Sequence, residues 1–80
     1  MYQIFLSHRA ENDLKKIPQD TRIRIELALE RFATNPDLRH DVVKVKESLK
    51  KTPRYRLRIG EYQATFFIHR DILIIEIITV

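Results

Sequence analysis

The beginning of the chain carries the apolar pattern of one strand followed by one helix. Residues 2–7 alternate, with Tyr2, Ile4 and Leu6 on one side, and this predicts a β-strand. Ser7 is suited to the N-cap of a short helix, because its hydroxyl can accept a hydrogen bond from the first turn. The apolar residues of that helix recur at helical spacing: Ala10, Leu14 and Ile17. We therefore expect a strand that leads directly into a helix.

A second, longer helix is predicted between two prolines. Pro18 fits the first turn, where its missing N–H is no loss, and the residue before Pro36 avoids the α region and ends the helix. The apolar stripe predicts the buried side: Ile25, Ala28, Leu29 and Phe32. Ile23 and Leu27 lie on the opposite side and form a small apolar spot, which is a candidate contact for a partner protein.

The rest of the chain is predicted to be β structure. The strand segments are residues 42–46, 55–59, 62–69 and 72–80. In the first of them we expect Val43 and Val45 to face inward. The last is apolar on both faces except at Glu76, which is typical of a central strand covered by helices. The order β-α-α-β-β-β-β predicts an α+β domain, with two antiparallel helices packed on one face of a mainly antiparallel sheet.

A short turn at Gly60-Glu61 determines which hairpin residues lie side by side. A two-residue turn with glycine first is suited to type II′, and it pairs Arg58 with Gln63 and Arg56 with Thr65. The apolar positions then share the buried face: Tyr55, Leu57, Ile59, Ala64, Phe66 and Ile68. The polar positions share the other face: Arg54, Arg56, Arg58, Gln63 and Thr65. A shift of one residue would bury the arginines, so the alternation predicts their exposure.

Glu76 is the acidic residue of the last apolar strand, and it requires either water or a partner charge. A two-residue turn at Arg70-Asp71 would place Glu76 beside Thr65. The resulting row Arg56–Thr65–Glu76 predicts that Arg56 is the charged partner of Glu76.

The positive charge is concentrated in one segment. Residues 39–58 contain eight Lys and Arg and two acidic residues, a net charge of +6 in a chain whose net charge is +4. Alternate arginines on a strand stand about 7 Å apart, which is close to the phosphate spacing of a nucleic-acid strand, and guanidinium binds phosphate through paired hydrogen bonds. The predicted phosphate-binding residues are Lys44, Lys46, Arg54, Arg56 and Arg58. A solvated sheet face is the alternative interpretation.

Composition excludes several classes of protein. The 80 residues are enough for one domain, and the absence of cysteine excludes disulfides, thiol nucleophiles and zinc–cysteine sites. The three histidines follow no metal-ligand spacing, so we expect neither a metal nor a cofactor. No apolar run approaches the roughly 20 residues that span a bilayer, and charge appears too early for a signal peptide. We expect a cytoplasmic protein without membrane contact.

The hairpin and the helices together resemble a known family. The segment YRLRIGEYQATFFI, preceded by AENDLKKIP and RIELALERFATNP, resembles the RelE/ParE superfamily of toxins from type II toxin–antitoxin systems, over essentially the whole chain. The hairpin is more similar to the RelE-like branch. That resemblance implies a metal-independent endoribonuclease that enters the ribosomal A site and cuts mRNA, by driving the ribose 2′-OH onto the adjacent phosphate. It also implies a cognate antitoxin as partner.

The resemblance implies a catalytic set of Arg56, Arg58 and Gln63, with two departures from the family pattern. Arg56 and Arg58 match basic positions that contact RNA in RelE-like toxins. Gln63 stands where the family usually has a catalytic arginine, so we expect weaker stabilisation of the charged transition state. The family normally continues after the last strand with Gly-[His/Lys]-Arg and a tyrosine. We therefore expect residues 1–80 to form a toxin domain that lacks the usual C-terminal tail and has attenuated activity.

Two other functions remain open from the sequence. ParE-like members of the superfamily share the fold and inhibit DNA gyrase. A degenerate member would bind its antitoxin without catalysis, and Ile23 and Leu27 are the candidate antitoxin contacts in every case.

Overall fold

Five strands and two helices make up the fold. The structure is a computed structural model that describes residues 2–36, 42–45 and 53–80. The elements in chain order are β1 (Gln3–Leu6), α1 (His8–Lys15), α2 (Gln19–Thr34), β2 (Val42–Lys44), β3 (Arg54–Ile59), β4 (Tyr62–His69) and β5 (Ile74–Thr79). This order confirms the predicted α+β architecture, in which the helices pack against one face of the sheet.

The strands form one sheet in the order β1-β5-β4-β3-β2. β1 runs parallel to β5, and every other neighbouring pair is antiparallel. β5 therefore lies between β1 and β4, which agrees with the prediction of a central strand. Its alternate residues Ile75 and Ile77 are buried against the helices. β1 and β2 are the two edges of the sheet.

Ser7 connects the start of α1 to the central strand. Its Oγ accepts a hydrogen bond from the backbone N–H of Ala10 at 3.0 Å, as the predicted N-cap requires. The same hydroxyl donates to the carbonyl oxygen of Ile78 at 2.6 Å, and the backbone N–H of Ser7 donates to that of Ile77 at 2.8 Å. A single polar residue thus fixes the angle at which the chain leaves β1 and enters α1.

The second helix lies between the two prolines as predicted, and Ile25, Leu29 and Phe32 of the predicted stripe are buried, whereas Ala28 is only half-buried. It begins after Pro18, which occupies the N-cap, and ends at Thr34, just before Asn35 and Pro36. The ring of Phe32 lies 5.1 Å from the ring of Phe66 in β4, so α2 is joined to the middle of the sheet. None of the helices within the described residues is long and apolar enough to cross a membrane.

The core lies between the helices and the sheet. Its buried apolar residues are Ala10, Leu14, Ile17, Ile25, Leu29, Phe32, Ala33, Val42, Leu57, Ala64, Phe66, Ile75 and Ile77. Phe66 also stacks on Tyr55, at 6.1 Å between ring centroids. The hairpin residues predicted to face inward all belong to this core or pack against it.

The β3–β4 hairpin has the predicted register. Arg58 pairs with Gln63, and Arg56 pairs with Thr65. Gly60 has a φ of +60°, while Glu61 is not among the residues of positive φ, as a type II′ turn requires. The two-residue turn and the alternation therefore placed the arginines correctly.

The prediction for β2 was wrong about which side faces inward. Val42 pairs with buried Leu57 and is itself buried, whereas Val43 pairs with Arg56 and is 54% exposed. Val45 lies one residue beyond the end of the strand and is half-buried. Two adjacent valines suit either face, so the short apolar pattern did not determine the register.

The predicted turn between β4 and β5 was also wrong. Residues 70–73 form the turn, with Leu73 at a φ of 55°, and His69 pairs with Ile74. Glu76 consequently lies beside Phe67, and the predicted row Arg56–Thr65–Glu76 does not form. The register differs by two residues from the predicted one. A shift of two keeps every side chain on its face, so hydrophobic alternation cannot distinguish the two registers.

Candidate nucleic-acid interface

The sheet face turned away from the helices carries the candidate site, and we call it the outer face. Side chains from every strand contribute to it, because alternate residues of a strand point to opposite faces and the other face of the sheet packs against the helices. Its members are Gln3, Phe5, Val43, Arg54, Arg56, Arg58, Gln63, Thr65, Phe67, His69, Ile74 and Glu76. The outer face is therefore cationic along β3 and mixed along β4 and β5.

Three arginines follow one another along β3 on the outer face. Alternation on a strand separates Arg54, Arg56 and Arg58 by about 7 Å each. Within the described parts of the chain, none of the three forms an ion pair with a carboxylate. Nε of Arg58 donates to the carbonyl oxygen of Gly60 at 3.4 Å. Their positive charges are therefore available to an anionic ligand.

The predicted catalytic residues are brought together at one end of the outer face. Gln63 is the direct cross-strand neighbour of Arg58, and Thr65 is that of Arg56. We call these four residues the hairpin end. Gln63 is exposed, and its amide offers hydrogen-bond donors without charge. The hairpin end can thus hold a phosphate between two guanidinium groups and a neutral amide.

Two of the predicted basic residues are not brought into this cluster. Lys44 pairs with Tyr55, whose ring packs on Phe66 on the helix side of the sheet, so Lys44 does not share the face of the arginines. Lys46 lies outside the described residues. The cationic surface on β3 is therefore built from arginines alone among the described residues.

A second cluster occupies the other end of the outer face, and we call it the dyad end: Arg54, Phe67, His69 and Glu76. Nε2 of His69 lies 3.0 Å from Oε1 of Glu76. The guanidinium carbon of Arg54 lies 5.7 Å from the centre of the Phe67 ring, and the rings of Phe67 and His69 are 6.2 Å apart. The partner of Glu76 is thus His69, and the predicted pairing with Arg56 was wrong.

The sequence contained part of the signal for the dyad end. His69 and Glu76 both have outward parity on adjacent strands, which makes them possible neighbours. Only the longer turn at residues 70–73 makes them actual neighbours. Among the residues that the structure describes, no group of three or more His, Asp or Glu is placed to hold a metal ion.

A comparison with family models identifies the chain. The model of the ParE toxin of type II toxin–antitoxin systems, parDE, matches residues 4–80. The chain belongs to this toxin family. The predicted membership of the RelE/ParE superfamily is confirmed. A comparison with curated protein sequences found no significant match.

Solved structures of RelE proteins share the fold of this toxin. The RelE–RelB complex of Pyrococcus horikoshii OT3 is 21% identical, with a TM-score of 0.82 over 98% of this chain and 90% of that chain. The matched chain of the intact RelBE complex of E. coli is 19% identical, with a TM-score of 0.67, and the match covers 99% of this chain and 93% of that chain. The matched chain of the RelB–RelE complex of Methanococcus jannaschii is 27% identical, with a TM-score of 0.66, and the match covers 90% of this chain and 84% of that chain.

The apolar spot predicted on α2 of the toxin is exposed. Ile23 and Leu27 point away from the core and remain accessible. Ile23 borders a shallow groove of about 420 Å³ that also includes Leu14 and Arg22. This groove lies on the helix side of the toxin, so Ile23 and Leu27 are separate from the outer face.

Proposed function

We propose that this toxin binds RNA on its outer face and cleaves ribosome-bound mRNA, as a RelE-like endoribonuclease of reduced activity acting in the cytoplasm. The observation that carries the proposal is the row Arg54, Arg56 and Arg58, three cations at phosphate spacing that have no carboxylate partner among the described residues. The likeness to RelE structures supports it at the level of the fold.

The chemistry of such a cleavage fits the hairpin end. Attack of a ribose 2′-OH on the adjacent phosphate builds negative charge on the phosphate oxygens. Fixed guanidinium donors near those oxygens lower the barrier, and Arg56 and Arg58 are in position to supply them. Gln63 contributes a neutral donor in the same cluster. The hairpin end should therefore bind RNA well and stabilise the transition state less than a third arginine would.

The toxin is further proposed to be neutralised by a cognate antitoxin. The RelE chains of Pyrococcus horikoshii OT3, E. coli and Methanococcus jannaschii were solved as complexes with RelB. In this toxin, Ile23 and Leu27 are the proposed antitoxin contacts, since they form an exposed apolar spot on α2. Contact there leaves the outer face open unless the antitoxin also reaches around the sheet.

The family match favours one alternative. The matching model describes a ParE toxin of the parDE system, and ParE-like members inhibit DNA gyrase. In that case the outer face would act by contact with protein or DNA and would need no catalysis. The two functions differ in a measurable product, which is cleaved mRNA or blocked supercoiling.

One experiment separates these functions. The purified chain is added to ribosomes carrying a defined mRNA, cleavage is mapped by primer extension, and gyrase supercoiling is measured in parallel. We expect cleavage by the wild-type chain, and a loss of about 10-fold or more for Arg56→Ala or Arg58→Ala. Arg24→Ala, on an exposed position of α2, is the matched control and should cleave normally.

Two other outcomes would contradict the ribonuclease proposal. Intact mRNA together with blocked supercoiling would replace the proposal with gyrase inhibition. Neither effect, in a chain that still binds its antitoxin, would identify a degenerate member without catalysis.

A further inference from the structure

A groove with one carboxylate lies at the dyad end of the outer face. Its volume is about 360 Å³, within the range of about 300–1,000 Å³ that is usual for small-ligand sites. The residues that line it include Phe5, Leu6, His69, Ile72, Ile74 and Glu76. Because this lining is mainly apolar, the groove suits a flat ligand that carries hydrogen-bond donors along one edge.

The aromatic wall of the groove is Phe5, whose ring is not needed for the core. Phe5 is 54% exposed, and it is not among the residues that form or flank the buried cluster. It is the cross-strand partner of Glu76, so the ring and the carboxylate stand side by side on the outer face. An accessible aromatic ring on a sheet face is a platform on which single-stranded RNA stacks a base.

The carboxylate of Glu76 is held through one oxygen and can accept through the other. Nε2 of His69 lies 3.0 Å from Oε1 of Glu76, and this hydrogen bond fixes the orientation of the carboxylate. Oε2 has no hydrogen-bond partner among the residues that the structure describes. An ionised carboxylate accepts hydrogen bonds and donates none. It therefore repels a phosphate group and favours a base whose accessible edge carries donors.

Guanine is the base whose edge fits this carboxylate best. The Watson–Crick edge of guanine carries two adjacent donors, N1–H and the N2 amino group. Adenine, cytosine and uracil each place a donor beside an acceptor there, and an acceptor that faces a carboxylate is left unpaired. The two oxygens of a carboxylate offer about four lone-pair positions, of which His69 uses one. Both oxygens of Glu76 can therefore accept from guanine.

Arg54 connects the groove to the cationic row on β3. Successive cross-strand pairs place Arg54, Phe67, Glu76 and Phe5 in one row across the sheet. The guanidinium of Arg54 lies over the Phe67 ring, so it is about one strand spacing, or about 5 Å, from the strand of Glu76. Along β3, Arg54 is about 7 Å from Arg56. A phosphate held by Arg54 is thus one phosphate spacing from the phosphate at the hairpin end, and its own base can reach the groove.

We propose that this groove is a base-binding subsite that favours guanine; the inference rests on the proposed binding of RNA to the outer face. The base stacks on Phe5, and Glu76 accepts hydrogen bonds from N1–H and the N2 amino group. His69 holds the carboxylate in position. The bound base belongs to a nucleotide next to the reacting one. The groove thereby selects the RNA sequence, while the hairpin end holds the phosphate that reacts.

Binding of short RNAs, measured by fluorescence anisotropy, tests the subsite independently of cleavage. The probes are oligouridines of about eight nucleotides, a usual span for a single-strand binding surface, with guanine, inosine, adenine or uracil at one central position. The guanine probe should bind about 10-fold or more tightly than the adenine probe, because both purines stack but only guanine presents two donors. Inosine keeps N1–H and lacks the N2 amino group, so its probe should lie between them.

Two substitutions separate recognition of the base edge from stacking. Glu76→Gln should reduce the ratio of guanine to adenine affinity to about 2-fold or less, because an amide replaces one acceptor with a donor. Phe5→Ala should weaken the guanine and adenine probes alike, by about 10-fold, and Phe5→Tyr should keep wild-type binding. The matched controls are Glu30→Gln and Ile23→Ala, at exposed positions of α2, and neither should change binding. Far-ultraviolet circular dichroism confirms that each variant is folded.

Three outcomes would overturn the inference. Equal binding of the guanine and adenine probes by the wild-type chain would remove the subsite and leave RNA binding intact. A guanine preference that survives Glu76→Gln would place the recognition of the base elsewhere. A wild-type chain that binds none of the probes would overturn the subsite together with the proposed RNA-binding face. A guanine preference that Glu76→Gln removes, in a chain that leaves ribosome-bound mRNA intact, would support the subsite and overturn the ribonuclease proposal alone.

Discussion

The two ends of the outer face differ in how their charges are arranged. At the hairpin end, Arg56 and Arg58 have no carboxylate partner among the described residues, and their polar neighbours Thr65 and Gln63 are neutral. At the dyad end, the charged side chains are in contact with others: Arg54 lies over Phe67, and Glu76 is bonded to His69. Unpaired cations hold an anion, whereas a paired imidazole can move a proton. The proposed phosphate contacts and the His69–Glu76 pair thus lie at different ends of one sheet.

Truncating the core residue Phe66, which supports both ends of the outer face, should give the largest loss of stability. Phe66 belongs to β4, is completely buried on the helix side of the sheet, and packs against Phe32 and Tyr55. Phe66→Ala is expected to lower the free energy of unfolding by about 3–5 kcal/mol, so both ends should be lost together. Urea unfolding followed by circular dichroism measures this. Phe5→Ala, at an exposed ring, is the control and should change stability by about 0.5 kcal/mol or less.

Adding a positive charge to the hairpin end should raise the cleavage rate and increase the difference in charge between the two ends. Gln63→Arg places a third guanidinium beside Arg58, where negative charge develops in the proposed reaction. The cleavage rate is expected to rise by about 10-fold or more. Gln19→Arg adds the same charge at an exposed position of α2, on the helix side of the sheet, and is the control. An equal gain from both variants would mean that net charge, and not position, controls the rate.

Removing one arginine from each end tests whether RNA runs along the whole face. Arg58→Ala and Arg54→Ala should each reduce the slope of log affinity against log salt by about 0.7. Binding of a short single-stranded RNA at several salt concentrations measures the slope. If only Arg58→Ala reduced the slope, RNA would not extend to the dyad end, and the two ends would not share one RNA-binding surface.

The smallest effect is expected on stability, when the hydrogen bond between His69 and Glu76 is removed. Glu76→Gln should lower the free energy of unfolding by about 1 kcal/mol or less, because both partners are partly exposed. Thermal unfolding of this variant and of Glu30→Gln, at an exposed helix position, measures the difference. A loss of several kcal/mol would mean that the pair supports the sheet, and the dyad end would then be structural.

The hairpin end was predictable from the sequence and the dyad end was not, for a physical reason. Gly60 favours a two-residue turn, and a turn of known length determines every cross-strand pair in a hairpin. No comparable signal marks the turn at residues 70–73. The alternation placed Glu76 on the correct face but left its register uncertain by two residues, so its neighbour was assigned as Thr65 instead of Phe67.

The helix ends and the register of β2 differ in the same way in how well the sequence predicts them. Ser7, Pro18 and Pro36 marked their ends, because capping and proline restrictions act within a few residues. The orientation of β2 depends on its partner β3, and Val42 and Val43 are equally apolar. Local signals therefore gave the elements, while contacts between distant residues set the register.

The position of β5 has a consequence for when the outer face forms during synthesis of the chain. β5 follows all other strands in the chain, yet it lies in the middle of the sheet, between β1 and β4. Among the strands that the structure describes, β1 pairs with β5 alone, and the Ser7 hydroxyl donates to the carbonyl oxygen of Ile78, which is synthesised after β4. A nascent chain thus cannot assemble the outer face until its final strand has emerged. The surface proposed to bind RNA is therefore complete only after β5 has been synthesised.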